Sequence, residues 1–155
     1  MSEHFAALRK AQLLRDFTDV GVRILAEAAQ KRTVGRSTYA FRAGEPSNGL
    51  HFIARGTLNL LPRDGSQAIG EVTVGDSLGG LSLLLGGEHL VSAFATTDVE
   101  LITLARPAFD AMKTQKPGAA TKLELALSRD LIERMREAKG PLREFLSWQV
   151  SKRAT

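Results

Sequence analysis

Gly75-Asp76-Ser77-Leu78-Gly79-Gly80-Leu81-Ser82-Leu83, followed by His89-Leu90-Val91-Ser92-Ala93, is the stretch that decides how this chain is read. Glycines at 75, 79 and 80 allow a sharp turn and a close approach of another group to the backbone. On both sides the texture is one of short β-rich runs between glycine-bearing turns: Thr38 to Phe41, Leu50 to Ala54, Thr57 to Leu61, Ala68 to Val74, Val91 to Thr96 and Val99 to Leu104. That spacing predicts an antiparallel sandwich or roll. In the connection after Pro62, Asp64-Gly65 supplies the positive-φ position of a hairpin.

Helical patterns flank the β-rich part. Phe5, Leu8, Leu13 and Leu14 with the intervening alanines predict a helix over Glu3 to Arg15. A second helix is capped by Thr18 or Asp19, carries Val22, Leu25, Ala26 and Ala29 at helical spacing, and ends where Lys31-Arg32 complement its dipole. Pro107 suits the first turn of a short helix through Met112. A long helix over about Ala119 to Lys139 spaces Leu123, Leu127, Leu131 and Met135 by four, and Gly140-Pro141 stops it. A last short helix is expected over Leu142 to Val150. The fold class that follows is α+β: an antiparallel β-roll, jelly-roll-like, flanked by N-terminal helices and a long C-terminal helix. Its segments are helices over 1–32, the roll over 33–105 with the glycine-rich cassette at 75–92, the short and long helices over 106–139, and a short helix and tail over 140–155.

Composition excludes several function classes. A chain of 155 residues that is 43% hydrophobic suffices for one core. Apolar runs fall short of the ~20 residues that cross a bilayer, and Met1-Ser2-Glu3-His4 does not open a secretory leader, so a cytoplasmic protein away from membranes is expected. Zero cysteines remove thiolate chemistry and thiolate metal sites together. His4, His51 and His89 are scattered, so no metal site is expected. The net charge of +4 is spread, and Lys31-Arg32 with Arg36 and the tail Lys152-Arg153 read as solvated positions. Glu45 reads as a turn carboxylate. With no nucleophile and base, carboxylate pair or ligand cluster in evident array, the chain does not read as an enzyme and no catalytic residue is assigned.

Phe41-Arg42-Ala43-Gly44-Glu45, then Leu50-His51-Phe52-Ile53-Ala54-Arg55-Gly56-Thr57-Leu58, then Gly75-Asp76-Ser77-Leu78-Gly79, then Ala95-Thr96-Thr97-Asp98-Val99-Glu100-Leu101 occur in the order found in one family. The chain resembles the cyclic-nucleotide-binding domain as found in the sensor domain of catabolite activator protein-like regulators. The resemblance implies a phosphate-binding cassette in which N–H groups at a short helix start face the cyclic phosphate, a glutamate takes the ribose 2′-hydroxyl and an arginine pairs with the phosphate. Here the glutamate position is Gly80, and the arginine position is Leu90 counted forward from Gly79 or His89 counted back from Ala95. Losing both anchors weakens binding by about 3–6 kcal/mol, roughly two to four decades. Candidate ligand residues are therefore Gly79, Gly80, Leu81, Ser82, His89, Leu90, Val91 and Ser92. A protonated His89 would restore part of the charge; otherwise it is an exposed loop histidine.

The stripe Leu123, Leu127, Leu131 and Met135 has two readings, packing back on the roll or pairing with the same helix of a second subunit; in that family the long helix dimerises, which makes these residues the candidate dimer interface. Arg129, Asp130, Glu133, Arg134 and Arg136 read as its solvated side. The function expected is a non-catalytic regulatory or signalling module with a degenerate cassette, a homodimeric scaffold for an unidentified protein partner. The alternative is a small-molecule or cyclic-nucleotide sensor with a retuned pocket. No cofactor is required; cAMP or cGMP, held weakly, is the ligand implied. A transcription regulator is the lesser reading, and sequence-specific DNA binding is not expected because no recognition helix follows Leu142-Arg143-Glu144-Phe145-Leu146.

Overall fold

The hydroxyl of Thr18 accepts a hydrogen bond from the Gly21 N–H and caps helix α2 (Asp19–Ala28), whose apolar face buries Val22, Leu25 and Ala26. The computed structural model describes residues 3–47, 49–65 and 67–140. Helix α1 (Glu3–Arg9) precedes α2 and stops short of the expected Arg15. After Lys10 the chain turns through a 3₁₀ segment, Gln12–Leu14, because the Gln12 N–H bonds the Gly75 carbonyl, and the Arg9 guanidinium donates to the carbonyls of Leu14 and Phe17. Those long-range bonds replace the helical ladder.

Among the described residues eight strands follow: β1 (Gln30–Val34), β2 (Tyr39–Phe41), β3 (Gly49–Arg55), β4 (Leu58–Leu61), β5 (Gly70–Val72), β6 (Ser77–Leu78), β7 (Ser92–Ala95) and β8 (Val99–Ala105). They form two antiparallel four-stranded sheets in the orders β1-β8-β3-β6 and β2-β7-β4-β5. The roll and its flanking helices are thus those the spacing predicts. β1 is the departure: it begins at Gln30, inside the segment read as the end of a helix. It pairs along β8 from Gln30 opposite Thr103 to Val34 opposite Val99. Pairing with a completed neighbour overrides a local pattern in which Val34 alone is buried.

Side-chain alternation sorts β3 and β8 between two cores. Ile53, Val99 and Leu101 point into the roll with Ala40, Leu58 and Ala93. Leu50, Phe52, Ile102 and Leu104 point the other way, onto the helices. Helix α3 (Gly80–Leu85) lies within the roll segment, and α4 (Arg106–Gln115) and α5 (Pro117–Glu137) close the helical layer. Leu123 is fully buried and Leu127 is 4% exposed, each contributing roughly 1.5–3 kcal/mol by burial. The expected helix over Leu142–Val150 and the tail lie outside the described residues.

Candidate functional site

The cassette is held on the roll by its own backbone. The Asp76 carboxylate accepts from the Thr73 N–H at 2.9 Å, and the Asp76 carbonyl accepts from the Ile53 N–H at 3.1 Å, which joins the turn to β3. Gly79 follows with φ of +89°, and a Cβ there would sit 2.3 Å from the Gly49 carbonyl oxygen. Only glycine fits that conformation and that approach. The Gly79 carbonyl then accepts from the Leu83 N–H at 3.0 Å and starts α3. At the far end of α3, the Arg106 guanidinium donates to the carbonyls of Ser82 and Leu83.

The returning limb is laced to the segment after β2. The His89 N–H donates to the Glu45 carbonyl at 2.8 Å and the His89 carbonyl accepts from Gly44 at 2.9 Å. The Glu45 carboxylate accepts from the Arg42 N–H, the turn role its position suggests. The Ser92 hydroxyl accepts from the Ala43 N–H at 2.9 Å, and the Ser82 hydroxyl donates to the Glu88 carbonyl at 3.2 Å. Both hydroxyls are therefore already engaged within the fold.

A cavity of about 340 Å³ opens between this cassette and α5. It gathers Gly79, Gly80, Leu81, Ser82, His89, Leu90 and Val91 on its lining, while Ser92 stays outside it. Of the long-helix residues, Leu127 and Leu131 line the cavity, Leu123 is fully buried against the helical core and Met135 is half-buried. Leu123 and Leu127 are thus committed inside the subunit rather than presented at its surface, because α5 turns that side of the stripe onto α3 and the core. Gly80 has no positive φ, yet a Cβ there would lie 2.7 Å from Leu127 Cδ2. Where the family resemblance places a ribose-binding glutamate, the end of the Leu127 side chain lies against the backbone.

His89 is 3% exposed, not the exposed loop histidine of the sequence reading. Its ring stacks on Phe41 with centroids 3.8 Å apart and planes at 7°. Burial pushes the His89 imidazole below its ordinary pKa, with Arg32 acting in the same direction and the Glu45 carboxylate opposing. Neutral at pH 7, it supplies no cationic partner for a phosphate. His51 also packs against Phe41, its ring centroid 5.5 Å from that of Phe41 and 6.2 Å from that of His89; it is fully buried and has its pKa pushed down to about 3 by burial, with Arg32 and His89 adding to it. Its Nδ1 is 2.8 Å from the Thr103 hydroxyl.

Sequence reasoning missed several lining residues. Leu60 and Val72 line the cavity from β4 and β5, and inward alternation along β4 was the available signal for Leu60. Asp130 and Arg134, read as solvated, line the cavity as a salt bridge of 2.8 Å, four residues apart on α5. Charge at helical spacing does not reveal which side of a helix faces a cavity.

The sequence pattern described as Cyclic nucleotide-binding domain matches residues 31–116, the span from β1 into α4. This chain belongs to that family. A cyclic nucleotide-binding domain from Methylobacillus flagellatus superposes with a TM-score of 0.75 at 26% identity, covering 87% of this chain and 78% of the other. The regulatory subunit of a cAMP-independent protein kinase A from Trypanosoma brucei gives 0.74 at 20% identity over 94% of this chain and 48% of its own, a likeness of fold. Among curated proteins, an uncharacterised NTE family protein of Mycobacterium tuberculosis is 26% identical over 145 residues, 94% of this chain. The chain spans 24% of the length of that relative. Among the described residues, no helix is long and apolar enough to cross a membrane.

Proposed function

We propose that this cyclic nucleotide-binding domain is a non-catalytic, cytoplasmic regulatory module whose degenerate cassette no longer reads cAMP or cGMP. The observation that carries this reading is the 2.7 Å between Leu127 Cδ2 and the Cβ position of Gly80. The glutamate is absent, the end of the Leu127 side chain stands where its Cβ would begin, and neither neutral His89 nor Leu90 offers a fixed cation. The kinase regulatory subunit described as cAMP-independent has the same fold, so independence from that ligand is compatible with the architecture. The module acts as a homodimeric scaffold for a protein partner. Its contact is the outer side of α5, where Leu125 and Ile132, 61% and 56% exposed, stand two helical turns apart. Thermal denaturation tests the cassette. At 1 mM, a nucleotide with micromolar Kd would add about 4.1 kcal/mol and raise Tm by several degrees; no shift is expected.

The cavity supports a second reading. A space of about 340 Å³ beneath α5 is at the small end of the ~300–1,000 Å³ range of ligand pockets, and fits a sensor retuned to another molecule.

A further inference from the structure

The cavity under α5 has a chemistry unlike that of an anion site. Leu60 and Val72 from the roll, Leu90 and Val91 from the returning limb, and Leu127 and Leu131 from α5 line it with hydrocarbon. Among the described residues, its charged lining consists of carboxylates at Glu71, Asp130 and Glu137 against one guanidinium at Arg134, an excess of negative charge. Glu71 and Glu137 are exposed, and Asp130 and Arg134 neutralise each other at 2.8 Å. An anion approaching this entrance meets net negative charge. A cation that passed it would find Asp130 already paired with Arg134 and, among the described residues, a remaining interior lining of hydrocarbon and uncharged polar groups.

We propose that the cavity between α3 and α5 binds an uncharged, largely apolar small molecule, held by hydrophobic burial against Leu90, Val91, Leu127 and Leu131 and screened from anions by Glu71 and Glu137. The proposal rests on the retuned-sensor reading above and names its ligand class. Because α5 forms one wall of the cavity, its occupant contacts Leu127 and Leu131 on the same helix that presents Leu125 and Ile132 outward. Occupancy is thereby coupled to the position of the proposed dimer contact.

Fluorescence titration of the full chain with N-phenyl-1-naphthylamine, an uncharged bicyclic probe, tests this. Saturable binding of one probe per subunit is expected. Val91→Phe and Leu131→Phe, each filling the cavity from a different wall and each checked for folding by circular dichroism, are expected to weaken binding about tenfold. Val20→Ser, at an exposed position on α2 away from both the cavity and the proposed dimer contact, is expected to leave it unchanged. The anionic 8-anilinonaphthalene-1-sulfonate is expected to bind about tenfold more weakly than the neutral probe, and Glu71→Gln with Glu137→Gln to narrow that gap. Absence of saturable naphthylamine binding overturns the ligand class, as does binding that both filling variants leave intact or a sulfonate that binds equally well. Micromolar cAMP binding instead overturns the underlying reading, so the two failures are distinguishable.

Discussion

Gly79 and Gly80 are neighbours in the chain and opposites in the structure. Gly79 has φ of +89°, with the Gly49 carbonyl oxygen 2.3 Å from its would-be Cβ; Gly80 has ordinary helical backbone and faces the end of a leucine side chain. The first is fixed by backbone against backbone, which cannot yield. The second is limited by Leu127, which can move at some cost. The two sides of the cassette therefore have different work: the side toward β3 maintains the fold, and the side toward α5 sets what the cavity admits.

Substitution separates them most sharply at the first. Gly79→Val combines a disfavoured conformation with a backbone clash and is expected to cost roughly 3–6 kcal/mol, enough to leave much of the chain unfolded in urea titrations. Gly80→Ala, by contrast, is expected to cost under about 1.5 kcal/mol, because Leu127 shifts and alanine favours the helix. Equal effects at the two positions would erase the distinction.

The α5 side is sharpened by rebuilding it. Gly80→Glu combined with Leu90→Arg or His89→Arg is expected to gain no cyclic-nucleotide affinity while Leu127 remains. Adding Leu127→Ala, itself destabilising by about 2–4 kcal/mol, is expected to restore about 3 kcal/mol of binding, two decades in Kd by calorimetry. Affinity from the first pair alone would show that α5 is no obstacle.

On the β3 side, acid is the probe. An unfolded imidazole titrates near 6.5 and buried His51 near 3, so below pH 6.5 the unfolded state takes the extra proton and stability falls. The contribution is complete above that value and declines by roughly 1.5–2 kcal/mol between pH 6.5 and 5, read from urea midpoints. His51→Leu is expected to flatten that slope. The smallest effect on folding belongs to the outer face of α5: Leu125→Asp with Ile132→Asp is expected to change stability by under about 0.5 kcal/mol per site while halving the mass in light scattering. A monomeric wild type would refute the dimer.

The same contrast explains what was legible in the sequence. Gly75 to Gly79, the Phe41-to-Glu45 segment and the alternation of β3 and β8 are local patterns with backbone consequences, and they were readable. β1 was not, because Gln30-Lys31-Arg32-Thr33 becomes strand only by pairing with β8. The Leu127 contact with Gly80, the stack of His89 on Phe41 and the inward turn of Asp130 and Arg134 are tertiary approaches with no local signature. A leucine stripe on α5 announced an apolar helix, but the direction it faces follows from the packing of α3.

Calorimetric titration of the wild-type chain with cAMP measures the central claim most directly. The account predicts no binding tighter than about 1 mM, and a saturable one-site isotherm in the low-micromolar range would contradict it.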